Sequence, residues 1–306
     1  MKTTTRFFSV NLLVATVFVI GISACNSNNT NDNNGLNASN TTAPKDTTTR
    51  KASAKNIFYS IPSPIETAQL LKAAGATYNK DYLNPLENIS KYVTSNGKAL
   101  NLGVYGTDLS FTSIFDKSQE SMFYLKCTNT LATGLGINGA FGESTVSRVQ
   151  ANMDNKDSIL HIISDAYWAS DAYLKNNDRP NTSDLIIAGG WIEGLYIATR
   201  IALVSNNPEI TERIAEQKSS LHNLIGLLQN SSTPDADITN LTTQLSDLFT
   251  NFAALPTTET KATVSTDKNN QVTTIDNKSK TSITPDQLKA ISAKVEILRN
   301  NIIKEY

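Results

Sequence analysis

Leu185–Val204 reads LIIAGGWIEGLYIATRIALV and is apolar on almost every side. A helix with such a surface is buried all round rather than along one stripe, so this stretch is expected to be the central helix of an all-α domain. Twenty mainly apolar residues also have the length of a membrane span. Against a span stand Glu193 and Arg200, each costing about 2.5–3.5 kcal/mol near a bilayer centre, and three glycines that add little hydrophobicity. Inside a globular bundle the glycines instead allow neighbouring helices to approach closely. Glu193 and Arg200, seven residues apart, fall on nearly one face and need partners from other helices. Such charges serve either a buried ligand site or a structural polar cluster, and the structural reading is the expected one.

Working outward, helix starts are marked by a repeated device. Ser63-Pro64-Ile65-Glu66, Asn84-Pro85-Leu86-Glu87 and Thr284-Pro285-Asp286-Gln287 each offer a cap, a proline at the first helical position and an acid or amide at the third. Asn207-Pro208-Glu209 and Thr233-Pro234-Asp235 are shorter versions. Between them, Ile238, Leu241, Leu245, Leu248, Phe252 and Leu255 recur at steps of three and four, as do Leu288, Ile291, Val295, Leu298 and Ile302. Ile214, Leu221, Ile225 and Leu228 mark a further stripe. The pattern predicts roughly eight helices from 56 to 306, packed as an irregular antiparallel multi-helix bundle around Leu185–Val204. Thr257–Ser282 interrupts it with polar sequence that admits a small β-hairpin near 263–276, or an unstructured loop.

The N-terminus carries the most specific signal. Lys2 and Arg6 form a positive segment, Val10–Ile20 an apolar core, and Ile22-Ser23-Ala24-Cys25 stands where cleavage is expected. This resembles the lipobox of bacterial lipoproteins, in which the cysteine is lipidated and becomes the first residue of the mature chain. The resemblance implies that residues 1–24 are a signal peptide and that Cys25 is held to a membrane by acyl chains. Residues 26–55 are Asn, Thr, Ser, Asp and Lys with little apolar content, the composition of a tether spanning on the order of 30 Å. In such lipoproteins an aspartate after the cysteine often signals inner-membrane retention; Asn26 stands here, which implies the outer membrane. Ser-Ala-Cys-Asn-Ser, the Asn-rich tether, and the YGTDLS and GGWIEGLY stretches are together similar to helical lipoproteins of the Bacteroidota. That similarity implies a cell-envelope setting and brings no activity with it.

Composition and motifs exclude more than they assign. Without residues 1–24 the chain has 25 basic and 28 acidic residues, net −3, and no basic patch to attract nucleic acid. With Cys25 lipidated, Cys127 has no partner within the chain, and it reads as a small buried hydrophobe rather than a reactive thiol. Gly134-Leu135-Gly136-Ile137-Asn138-Gly139 matches a dinucleotide fingerprint by letter only. It follows a helical pattern instead of a strand, so it reads as a helix connection capped by Gly134 or Gly136. His161 and His222 stand alone, and Asp154-Asn155-Lys156-Asp157 lacks the spacing of a calcium loop and reads as a helix-starting turn. No metal site and no cofactor are expected, and Gly-x-Ser-x-Gly is absent.

Tyr105-Gly106-Thr107-Asp108 and Asp165-Ala166-Tyr167-Trp168, extended by Asp171 and Tyr173, place acids beside aromatics. With Trp191, Glu193, Tyr196 and Arg200 they are candidates for one cavity, in which Asp108, Trp191, Glu193 and Arg200 would hold a ligand; the expected reading is instead that the aromatics are core and the acids are exposed or bonded to neighbours. The expected function is a non-enzymatic envelope lipoprotein that binds a protein or scaffolds an assembly. The alternatives are a small-molecule-binding lipoprotein and an enzyme whose site the sequence hides.

Overall fold

A computed structural model describes residues 61–304, apart from 153–154, 232, 260–262, 268–271 and 277–278. The signal segment, Cys25 and the tether therefore lie outside the described residues. Eight helices of ten residues or more are found: α1 Pro64–Ala73, α2 Ser95–Ile114, α3 Ser118–Gly134, α6 Lys156–Asn176, α7 Pro180–Ser205, α8 Pro208–Gln229, α9 Ala236–Ala253 and α10 Pro285–Lys304. Two short ones, α4 Asn138–Phe141 and α5 Glu143–Ala151, lie between α3 and α6, and 3₁₀ turns occupy Lys80–Tyr82 and Leu86–Lys91. The fold is the expected all-α bundle.

The caps explain where the helices begin. Ser63 and Glu66 form a reciprocal capping box at α1, and Thr284 and Gln287 make the same pair of bonds at α10. The Asn207 side chain accepts the Glu209 N–H at α8, and Asn155 caps α6 through the Ser158 N–H. Two expected caps behave differently. At α9 the capping side chain is Asp235, two residues beyond Thr233, because its carboxylate reaches the Ile238 N–H. Asn84 caps nothing: it is fully buried, and the segment after it forms a 3₁₀ turn without a side-chain cap.

The glycine run after α3 is a helix end. Gly136 has φ +71°, the Ile137 N–H reaches the Ala132 carbonyl, and the Gly136 N–H reaches that of Thr133. These two bonds define a Schellman motif, whose left-handed residue is best filled by glycine. The segment 257–281 forms antiparallel ladders rather than an open loop. β1 Thr257–Glu259 pairs with β4 Ser279–Thr281, and β2 Thr263–Asp267 pairs with β3 Val272–Asp276, with Val264 opposite Ile275.

Helix α7 is central and has α1, α2, α6, α8 and α10 packed around it. It is long and apolar enough to cross a membrane, yet 89% of its apolar window is buried within the protein. Enclosure by protein gives that apolar surface the partner a bilayer would otherwise supply. The stripes on α9 and α10 turn inward, with Ile238, Leu241, Leu245, Leu248, Phe252, Leu288, Ile291, Val295, Leu298 and Ile302 all buried. Each such side chain contributes about 1.5–3 kcal/mol on burial.

The closest contact in the bundle is between α2 and α7. A Cβ built on Gly189 would lie 1.9 Å from the Leu100 carbonyl oxygen, and one on Gly103 would lie 2.0 Å from that of Ile186. Thr107, one turn beyond Gly103, donates its hydroxyl to the Gly190 carbonyl at 3.0 Å. Backbone faces backbone here, so a methyl group can be accommodated only by separating the helices. Gly189→Ala is therefore expected to cost about 3 kcal/mol or more. Gly226→Ala in α8, where no atom lies within 4 Å of the added carbon, should stabilise by about 0.5–1 kcal/mol. Denaturant unfolding of the two variants checks this, and equal effects would contradict the close approach.

Candidate functional site

The candidate residues divide between a charged cluster inside the core and a cleft on α7's other side. Glu193 has no exposed surface, and its counter-charge comes from the last helix. Arg299 grips it bidentately, Nε to Oε2 and Nη2 to Oε1, both at 2.9 Å. The guanidinium also stands 4.6 Å from the Tyr196 ring centroid and reaches the Tyr82 carbonyl at 3.5 Å. Burial alone would drive Arg299 to release its proton, but the facing Glu193 carboxylate outweighs it and holds the guanidinium charged.

Asp108, on α2, completes the cluster. Its pKa is raised well above the ordinary carboxyl value, first by complete burial and then by the charge of Glu193; Arg299 and the Asn84 N–H offset only part of this. The Asn84 N–H donates to Oδ2 at 3.1 Å, while Oδ1 meets no donor among the described residues. A buried acceptor without a donor is satisfied when it carries a proton of its own. Burial and the neighbouring Glu193 charge thus both act to favour the protonated form of Asp108.

Asn84 anchors the same cluster with all four of its polar groups engaged. Besides the bond to Asp108, its Nδ2 donates to Tyr92 Oη, its Oδ1 accepts from Asn88 and its carbonyl accepts from Tyr124 Oη. Tyr92 donates its hydroxyl to the Ile303 carbonyl, and Asn101 donates to that of Ile302, so the end of α10 is held by buried polar groups as well as by its apolar stripe.

Two sequence-derived candidates lie elsewhere. Arg200 is part-exposed and pairs with Glu296 of α10 at 3.5 Å, not with Glu193. Trp191 points away from Glu193, since residues two apart on a helix diverge by about 200°. Its indole N–H donates to Gln217 at 3.2 Å. Asp108 and Glu193 thus lie in one cluster, whereas Trp191 and Arg200 do not join them, and these four residues do not line a common cavity. The partner missed by sequence reading is Arg299. Its position, four residues after Val295 on α10's buried stripe, is the signal that could have found it.

Trp191 lines instead a cleft of about 110 Å³ between the start of α1 and the facing sides of α6 and α7. Trp168, Asp171, Ser170, Ser183 and Glu66 also line it. Asp171 accepts the Ser183 hydroxyl and pairs with Lys175 at 2.7 Å. Behind it, burial raises Asp184 to about 7, an effect opposed by Lys175 and reinforced by Asp171. The Asp165 of the same sequence patch is half-exposed and lies on the surface beside His161 and Arg148.

The remaining chemistry-bearing residues are separate from both places. Cys127 is buried, and desolvation pushes its thiol up to about 11, so it packs as an uncharged thiol. His222 lies against the Phe249 ring, and among the described residues no three His, Cys, Asp or Glu side chains gather as metal ligands. No protein family model, curated protein or solved structure matches the chain.

Because burial favours a proton on Asp108 while Glu193 faces a guanidinium, the two acids should respond differently to amide substitution. Asp108→Asn preserves shape and is expected to cost less than about 1 kcal/mol. Glu193→Gln leaves Arg299 buried without its countercharge and is expected to cost about 3 kcal/mol. Chemical denaturation of both variants decides the matter; equal losses would show that the two acids are not in different protonation states.

Proposed function

We propose that the protein is a lipid-anchored component of a bacterial cell envelope that works by non-covalent recognition of a small molecule, held in the cleft beside Trp168 and Trp191. The cleft carries this reading. It is concave, it has an apolar floor with a few polar groups at its edge, and it places both of the chain's tryptophans in one site. The buried charges do not compete with it, because Glu193, Arg299 and Asp108 are engaged with one another inside the core.

A protein-binding scaffold is the other form of the reading, and it calls for a broad exposed apolar patch. Among the described residues the large exposed apolar side chains are Leu70, Val93, Phe123, Trp168, Tyr173, Val204 and Ile297, which are distributed over six segments of the chain. The anchor at Cys25, the tether after it and the outer membrane as location are proposed on the lipobox-like sequence and on Asn26.

Two experiments in cells test these parts separately. Cys25→Ser is expected to release the protein from the membrane fraction, and a variant that still sediments with membranes would remove lipid as the anchor. A photo-crosslinking residue at position 168 is expected to give no reproducible protein adduct. A near-stoichiometric adduct to one envelope protein would turn the cleft into a protein interface and overturn the small-molecule reading.

A further inference from the structure

The chemistry of the cleft walls restricts what can bind there. The groups that could donate hydrogen bonds have largely spent their protons inward. Tyr167 donates to the Leu102 carbonyl, Ser170 to that of Ala166, Ser183 to Asp171, and Trp191 to Gln217. What these groups leave to a ligand is acceptor capacity and aromatic surface. The charged residues in the lining are Glu66 and Asp171, both acids, with no lysine or arginine among the lining residues. Asp171 already shows what it takes: the Lys175 ammonium lies 2.7 and 3.0 Å from its two oxygens, in a part-exposed pair that a second ammonium can share or replace. Two indoles beside the carboxylates add attraction for a cation and a surface for an apolar body.

We propose that the cleft binds a small organic ammonium ion, with its charged nitrogen at Asp171 and its apolar or aromatic body against Trp168 and Trp191. This rests on the cleft being the recognition site. A carboxylate ligand would meet the Glu66 charge and an Asp171 already paired with Lys175, and a neutral one would forgo the strongest available bond, since charge-assisted hydrogen bonds are about twice as strong as neutral ones. At about 110 Å³ the cleft holds a single-ring molecule rather than a chain of them.

Both tryptophans line the cleft, so intrinsic fluorescence reads this site and no other indole. The full chain is titrated at neutral pH with phenethylamine, which is then an ammonium ion, with 3-phenylpropionate, its anionic counterpart, and with 2-phenylethanol. A saturable change with phenethylamine, about tenfold tighter than with the other two, is expected. Added salt should weaken the amine and leave the alcohol unchanged. Asp171→Asn, with its fold checked by circular dichroism, should abolish the preference for the amine; should the variant fail to fold, the salt dependence carries the same test. Phenylpropionate or phenylethanol binding as tightly as the amine would overturn the ligand class while leaving the cleft as a binding site. No saturable change with any of the three would overturn both.

Discussion

One buried ion pair sets the terms for the rest of the molecule. Glu193 stands in the middle of an apolar helix with no exposed surface, where an uncompensated charge would be prohibitive. Arg299 compensates it with two parallel hydrogen bonds from the final helix, so the C-terminal twenty residues of the bundle are tied to its centre. Arg200 and Glu296 repeat the pairing with the signs exchanged between the helices, as antiparallel neighbours allow. Once Glu193 is matched by a single guanidinium, a second buried charge beside it has no counterpart. Burial and the Glu193 charge consequently push the Asp108 carboxyl above its ordinary range, and Asn84 gives its backbone N–H to that acid while its side chain bonds Tyr92 and Asn88 instead of capping a helix.

This arrangement separates structure from recognition along a single helix. Residues 191 and 193 diverge around the axis, so the carboxylate enters the core while the indole opens towards α1 and α6. Close approach at Gly103 and Gly189 brings α2 near enough for Thr107 to reach the Gly190 carbonyl. The cleft then forms where α1 begins, between the residues leading into that helix and the facing sides of α6 and α7.

Much of the architecture was legible in the sequence because helices announce themselves locally. The stripes of α9 and α10, the capping boxes at Ser63 and Thr284, and the all-round apolarity of α7 each follow from spacing alone. The requirement that Glu193 and Arg200 find partners on another helix was also visible, since both charges sit in an apolar run. Which partners they find was not visible. Glu193 and Arg299 are 106 residues apart, and nothing local distinguishes Arg299 from a solvated arginine except its place on the buried side of α10. The polar-aromatic patches could not be told apart for a related reason. Tyr105-Asp108 and Tyr167-Trp168 look alike as short strings, but one turns into the core and the other lines a cleft, and that orientation is set by tertiary packing. The Asn84-Pro85 cap failed likewise, because the asparagine side chain is taken up by Tyr92 and Asn88 inside the core.

The claim on which the rest depends is that Glu193 and Arg299 act as one structural unit. A double-mutant cycle of Glu193→Gln and Arg299→Met, followed by denaturant unfolding, tests it most directly. Each single change should cost about 3 kcal/mol or more by leaving its partner buried and unmatched, while the double change should cost far less than their sum. Strictly additive losses would contradict the pairing and return Glu193 to the pool of residues available for a ligand.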